Sequence, residues 1–179
     1  MAGLRKGSCY SKLERPYVRK SKKKSKSYIR TIPPNKIVRY VMGEVHKDFS
    51  YELNLVSKDE GQIRHNAIES ARIVVNRRLN LNIGPKSYLF RVRIYPHHIL
   101  RENKMLGGAH ADRLQTGMAH AFGKPSGVAG QVKKGKTIFS AYTDKEHLDT
   151  AKKALWAAVS RIPVKCSITI NEIKTNSKK

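Results

Sequence analysis

One Gly-rich stretch in the middle of the chain, residues 101–136, most constrains how the chain can fold. It contains seven of the protein's 12 glycines and seven Lys or Arg residues, but only two acids. Side chains this small bury too little apolar surface to form a core of their own. Long loops inside a compact domain are uncommon and are usually functional or disordered. The stretch therefore predicts a flexible cationic loop whose accessible backbone N–H groups can approach a polyanion closely.

A surface helix over residues 109–122 is the alternative for the centre of this stretch. Leu114, Met118 and Phe122 recur at every fourth position, which is typical of one face of a helix. Gly117 in the middle of that helix costs about 1 kcal/mol relative to Ala. A loop and a helix formed on binding both remain open.

The net charge of the chain indicates a polyanionic partner. In its 179 residues, 37 Lys and Arg oppose 13 Asp and Glu, which gives a formal charge of +24 on a length that suits one domain. Such a chain repels itself, and contact with phosphates relieves the repulsion and releases counterions. We therefore expect nucleic acid as the partner. We expect no membrane partner, because the sequence has no long apolar run, no secretory signal and no basic amphipathic helix with an aromatic or leucine face.

The first 30 residues have the composition of an extended basic arm. They contain 11 Lys or Arg and one acid, with Tyr10, Tyr17 and Tyr28 interleaved. Charges on phosphates and rings free to stack suit a segment that lies against RNA. Alternatively, the tyrosines pack on the domain, or the basic cluster is a nuclear-import signal. The residues that we expect to contact RNA here are Arg5, Lys6, Lys12, Arg15, Tyr17, Arg19, Lys20, Lys22, Lys23 and Lys24.

Residues 31–173 read as a single α+β domain, followed by a polar, frayed tail at 174–179. Apolar alternation predicts strands over 37–42, 51–56, 88–95 and 137–142, and a last strand from Pro163. Capping-box pairs predict two helices: Ser57 and Glu60 open one over 58–79, and Thr143 and Glu146 open the other. Cys166 falls on the apolar side of the last strand and is predicted to be a small core residue.

These elements predict a two-layer α/β sandwich of mixed strands with two main helices on one side of the sheet. The outer face of strand 88–95 then carries Arg91 and Arg93, which we expect to contact RNA together with Lys133 and Lys134 of the Gly-rich stretch.

The sequence offers no persuasive catalytic or metal site, and we expect neither enzyme activity nor a cofactor. Cys9 and Cys166 share no CxxC spacing, so a zinc site or disulfide is not expected and a reducing cytoplasm fits. His97 and His98 lack further ligands nearby apart from Glu102. Three more candidate ligands, His110, Asp112 and His120, have a spacing that matches no site we can defend. The glycines around Lys124 do not form a P-loop. An RNA-modifying enzyme and a free RNA chaperone are the rival classes.

Specific sequence runs carry a resemblance to a known family. They are Asn-Lys-Met-Leu at 103–106, Ala-Asp-Arg-Leu-Gln-Thr-Gly-Met at 111–118 and Ala-Phe-Gly-Lys-Pro at 121–125, with supporting flanks at 5–17, 91–98, 135–139 and 162–165. Together they resemble the large-subunit ribosomal protein family called L-ten-e in archaea and eukaryotes, whose bacterial relative is ribosomal protein L-sixteen. The absence of the longer eukaryotic C-terminal extension is typical of archaeal members.

The resemblance implies an α/β-hammerhead-type fold in the cytoplasmic ribosome, bound to large-subunit RNA near 5S RNA and the central protuberance. It also implies neighbouring ribosomal proteins as partners, transfer RNA close to the central loop, and no homo-oligomer. The loop points toward the peptidyl transferase centre in that family, and the matching residues here are Arg101, Lys104, Met105, Arg113, Gln115, Met118, His120 and Lys124. One departure is Ala119-His120, where eukaryotic members often have Arg-Gly, so the role of that arginine does not carry over.

Overall fold

Two antiparallel sheets and two helices make up the fold in the computed structural model, which describes residues 5–13, 23–27, 29, 31–103 and 123–173. The strands are β1 (Val41–Gly43), β2 (Tyr51–Ser57), β3 (Gly61–Arg64), β4 (Tyr88–Val92), β5 (His98–Glu102), β6 (Lys124–Val132), β7 (Thr137–Thr143) and β8 (Cys166–Glu172). The helices are α1 (His65–Asn82) and α2 (Leu148–Val159). Short 3-10 helices occupy Gly7–Tyr10, Lys24–Lys26 and Lys145–His147.

The larger sheet has the strand order β1-β4-β7-β2-β8, and the smaller has the order β3-β6-β5. Every ladder in these sheets is antiparallel, where the sequence led us to expect mixed strands. The predicted α+β class with two main helices is confirmed.

The core lies between the two helices and one face of the larger sheet. Phe90 of β4 and Phe139 of β7 are fully buried at its centre, with ring centroids 5.5 Å apart. Helix α1 contributes Ile68, Ala71, Val75 and Leu79 at helical spacing, and α2 contributes Ala151, Ala154, Leu155 and Ala158. Each large side chain buried here stabilises the fold by about 1.5–3 kcal/mol. Cys166 is buried in this core, as predicted.

The start of the first helix differs from the prediction. Residues 61–64 form β3, and the helix begins only at His65. Ser57 ends β2, and its hydroxyl donates to the carbonyl oxygen of Asp59 (2.6 Å) instead of capping a helix. The reason is tertiary: Ile63 pairs with Gly130 of β6, and this pairing outweighs the local helical pattern. The second capping box is wrong as well, since Thr143 ends β7 and no side chain caps the 3-10 helix or α2.

The Gly-rich stretch 101–136 contains regular structure at both ends. Its first two residues complete β5, and residues 124–132 form β6, the central strand of the smaller sheet. Glycine lets this strand pack closely against its neighbours, because a side chain on Gly130 would collide with the Cγ2 of Ile94. The alternatives of loop and helix for 109–122 concern residues outside those that the structure describes.

Candidate nucleic-acid interface

The described N-terminal segment, residues 5–13, lies along the outer strand β3 of the smaller sheet. The backbone N–H of Gln62 donates to the carbonyl of Ser11 (2.9 Å). The side-chain amide of Gln62, which is 2% exposed, donates to the carbonyl of Lys12 (2.6 Å). The Arg64 guanidinium donates to the carbonyl of Arg5 (3.2 Å). Strand β3 thereby fixes the path of the basic segment over the domain.

Arg5, the first described residue of this segment, is held by side chains at the end of β5. The Arg5 Nε lies 3.1 Å from a carboxylate oxygen of Glu102, and the Arg64 guanidinium sits 5.4 Å from the ring centroid of Tyr10. Burial raises the pKa of Tyr10, and the nearby Glu102 carboxylate raises it further. Tyr10 therefore packs on the domain, which was one of the alternatives for the tyrosines of the arm.

The same end of the smaller sheet forms the base of the central loop. Glu102, the last residue of β5, pairs across the ladder with Lys124, the first residue of β6. A register shift follows Leu100, so that Arg101 stands opposite Pro125. Arg5, Arg101 and Lys124 are therefore brought together at this end of the smaller sheet. The segment 104–122 is inserted in the sequence at the same place, between β5 and β6.

Arg91 and Arg93 lie on the face of the larger sheet that is turned away from the helices. The Arg91 guanidinium stacks over the ring of Tyr142 at 5.6 Å, and the Arg93 Nε donates to the hydroxyl of Ser140 (3.1 Å). Glu52 accepts a hydrogen bond from the Tyr142 hydroxyl (2.8 Å) and stands 3.8 Å from the Arg93 Nη2. Burial raises the pKa of Tyr142, as does Glu52. Both arginines are thus oriented by neighbours in the sheet.

Lys133 and Lys134 occupy the turn between β6 and β7, and both are exposed. The nine residues of β6 separate this turn from the loop base by about 30 Å. Lys58 and Lys165, joined by a backbone hydrogen bond of 2.8 Å, lie beside the same turn because Ser57 bonds to Lys136 across it. The structure therefore places the predicted lysines in a second cationic cluster and does not join them to the loop base.

The described residues include only part of the predicted site. Lys6 and Lys12 are exposed on the N-terminal segment, Lys23 is exposed in a separate short segment, and Lys24 begins a 3-10 helix. The predicted residues outside the described parts are Arg15, Tyr17, Arg19, Lys20, Lys22, Lys104, Met105, Arg113, Gln115, Met118 and His120.

Sequence reasoning missed the residues that anchor the segment, Gln62, Arg64 and Glu102. The predicted helix over 58–79 includes these β3 residues, whereas Gln62 and Arg64 alternate with the buried Ile63 as in a strand. That alternation was the available signal.

The described residues contain no group of three or more His, Cys, Asp or Glu that could hold a metal ion. Burial lowers the pKa of His98, with further lowering by His97 and Arg101. Burial also raises the pKa of the Cys166 thiol to about 11, which makes it a poor nucleophile and ligand. None of the described helices is long and apolar enough to cross a membrane.

Comparison with known proteins identifies the family. The model of the family "Ribosomal protein L16p/L10e" matches residues 14–169. The large ribosomal subunit protein uL16 of Hyperthermus butylicus is 47% identical over 163 residues, covering 91% of this chain and 87% of that protein. The uL16 proteins of Staphylothermus marinus and Methanococcus aeolicus are 43% and 46% identical and cover 98% and 94% of this chain, and 98% and 95% of their own lengths. The chain therefore belongs to the ribosomal protein L16p/L10e family in its archaeal type, as a structural constituent of the large ribosomal subunit and not an enzyme.

Proposed function

We propose that this protein binds large-subunit ribosomal RNA near 5S RNA and the base of the central protuberance, with its central loop directed toward the peptidyl transferase centre and the transfer RNAs. Membership of the large subunit gives it ribosomal RNA and ribosomal proteins as partners. The finer location follows the family resemblance. The structure adds to the proposal by indicating which cationic surface contacts which part of the RNA.

The observation that carries the proposal is the meeting of Arg5, Glu102 and Lys124. Arg5 pairs with Glu102 at 3.1 Å, and Glu102 stands opposite Lys124 in the ladder. The Arg5 end of the described arm segment and the base of the loop therefore lie at the same end of the smaller sheet. A folded domain that holds part of the arm and both ends of the loop can present two cationic segments to neighbouring RNA without adding to its own core.

We further propose that the domain comprises residues 31–173, with an arm over 1–30, an inserted loop within 101–136 and a tail over 174–179. The arm contacts RNA through the ten residues from Arg5 to Lys24 named above, and the loop approaches transfer RNA through the eight from Arg101 to Lys124. Arg91, Arg93, Lys133 and Lys134 contact phosphates on two further sides. Phosphate contacts position a protein without reading sequence, so RNA shape and 2′-hydroxyls supply the specificity.

Hydroxyl-radical footprinting of large subunits assembled with and without the protein tests this proposal. A matched variant removes most of residues 104–122 and rejoins Asn103 to Gly123 through a short Gly-Ser linker, which preserves the Glu102–Lys124 pair. We expect the full chain to protect RNA near the peptidyl transferase centre and near 5S RNA. The shortened variant should lose only the first set.

Two double variants distinguish the effect of removing lysines that contact RNA from the effect of lowering the net charge. Lys133→Ala with Lys134→Ala removes two exposed cations from the β6–β7 turn, and Lys152→Ala with Lys153→Ala removes two from α2. We measure the slope of the logarithm of the RNA-binding constant against the logarithm of the salt concentration. We expect the first pair of substitutions to reduce the magnitude of this slope by roughly 2 and the second pair to leave it unchanged. Protection confined to distant RNA, or release of the protein from subunits in high salt, would contradict the proposal and favour a free RNA chaperone.

A further inference from the structure

Two tyrosines stack on each other beside the segment that joins β4 to β5, and one of them is exposed. The rings of Tyr40 and Tyr95 have centroids 5.9 Å apart and planes 29° apart. Tyr40 is half-buried against the core, whereas Tyr95 is 64% exposed. Neither the family match nor the arginines of the sheet accounts for an aromatic side chain that is held in place and left open to solvent.

The pair is held rigidly from both sides. The Tyr40 hydroxyl accepts a hydrogen bond from the Asn35 side-chain N–H (2.8 Å). The side-chain oxygen of Asn35 in turn accepts one from the backbone N–H of Ile37 (3.1 Å). Tyr95 stands between Ile94, which is 2% exposed in the core, and the buried Pro96. These neighbours anchor the Tyr95 backbone, and the stacking contact with Tyr40 covers one face of its ring while the other face meets solvent.

The charge around the pair points to an anionic partner. The two segments that carry the rings, residues 31–40 and 93–99, contain Lys36, Arg39 and Arg93 and no Asp or Glu. Two carboxylates from other elements act on this region, and each already faces an arginine. Glu69, which adds to the effect of burial in raising the pKa of Tyr40, pairs with Arg72. Glu52 stands 3.8 Å from Arg93. Lys36 and Arg39 are exposed, and Arg93 is 45% exposed in its side chain. A rigid ring with one open face among cations has the chemistry of a stacking site for single-stranded nucleic acid, in which the ring takes a base and the cations take the flanking phosphates.

We propose that Tyr95, backed by Tyr40, stacks against one unpaired base of the large-subunit RNA. The inference rests on the proposed function and deepens it, because it assigns a base contact to residues outside the arm, the loop and the sheet arginines. Tyr40 acts as a positioning residue that keeps the Tyr95 ring in place, and Arg93 is near enough in sequence to contact an adjacent phosphate.

The test uses large subunits that carry the full chain with a benzophenone-bearing phenylalanine at position 95. Irradiation should cross-link the protein to one RNA nucleotide, which reverse transcription identifies. The 2′-hydroxyl reactivity of that nucleotide is then measured in subunits that carry Tyr95→Ala or Tyr95→Phe. We expect a rise of roughly fivefold or more with Tyr95→Ala, since stacking limits the motion of the nucleotide, and no rise with Tyr95→Phe, which retains the ring. Trp156→Ala, at a 57% exposed aromatic residue on α2, serves as a control and should leave the reactivity unchanged.

The outcomes separate this inference from the proposed function. Cross-linking to a ribosomal protein, or equal reactivity in the Ala and Phe variants, would overturn the stacking site while the footprints near 5S RNA stand. Loss of those footprints with the unaltered chain would overturn the proposed function instead. Because Tyr95 is largely exposed, the free energy of unfolding of Tyr95→Ala should stay close to that of the unaltered protein, which checks that the variant folds.

Discussion

Gly43 packs its α-carbon against the carbonyl of Tyr88 with a backbone φ of +90°. That carbonyl accepts a hydrogen bond from the backbone N–H of Glu44 (2.9 Å), directly after the last pair of the β1–β4 ladder, in which Gly43 faces Leu89. A side chain at position 43 would collide with Tyr88 backbone atoms that the ladder holds in place. The edge of the larger sheet therefore requires glycine here for two reasons, the backbone conformation and the available space.

Gly43→Ala should destabilise the fold more than Gly135→Ala. Gly135 also has a positive φ, +80°, but a side chain there meets nothing within 4 Å. The left-handed conformation costs Ala about 1–2 kcal/mol at either position, and the collision at 43 adds about 1–3 kcal/mol more. Urea unfolding of the two variants measures the difference. Equal losses of free energy would show that β1 shifts freely and that the Tyr88 contact is unimportant.

Gln62→Ala should release the N-terminal segment from the smaller sheet. The buried amide of Gln62 bonds to the Lys12 carbonyl, and its loss should cost about 0.5–1.5 kcal/mol, since Lys12 is exposed and its carbonyl can bond to water instead. We expect faster tryptic cleavage after Lys6 and Lys12, with little change in cleavage of the domain. Asn171→Ala, which removes an exposed amide side chain from β8 of the larger sheet, is the matched control. Cleavage that is equally slow in both variants would mean that the backbone hydrogen bond from Gln62 to Ser11, together with Arg5 and Arg64, holds the segment without the Gln62 amide.

The strands and helices that pack through regular apolar patterns were predictable from the sequence. Strand β2 and the core face of α2 were predicted within a few residues, since Leu53, Leu55, Ala151 and Leu155 keep the periodicity of their elements. Strands β3, β5 and β6 were missed. Gly127 and Gly130 have no side chains to alternate, and their strand is specified by the partners Ile63 and Leu100, which are distant in sequence.

The candidate site was predictable in its composition but not in its arrangement. Charge counting pointed to the arm and the loop as candidate RNA contacts, and strand alternation pointed to the two arginines of the larger sheet. It could not reveal that Glu102 joins Arg5 to the loop base, because a single acid in a cationic stretch has no periodic signature. The stacked Tyr40 and Tyr95 also come from separate segments, and only the fold brings them together.

The two cysteines should differ sharply in reactivity toward a thiol reagent such as Ellman's reagent. Burial raises the pKa of Cys166 to about 11, so at pH 8 only about one thiol in a thousand is ionised there. Cys9 is exposed. We expect one thiol to react rapidly in the native protein and the second to react only in urea. Cys9→Ser should abolish the rapid phase, and rapid labelling of Cys166 in that variant would contradict its burial.

Acidification from pH 7.5 to pH 5.5 should destabilise the fold through His98. Burial, His97 and Arg101 lower the pKa of His98 below its ordinary value of 6.5, so the folded protein disfavours the protonated ring. The unfolded chain binds that proton near pH 6.5, and the stabilisation is therefore complete above this pH and is lost as the pH falls below it toward the folded pKa. His65, whose pKa is lowered chiefly by burial, acts in the same direction. Urea unfolding at several pH values measures the effect, and Glu69, whose pKa lies below 4.5, does not titrate in this range. His98→Gln should flatten the pH dependence, and an unchanged slope in that variant would show that His98 is not its source.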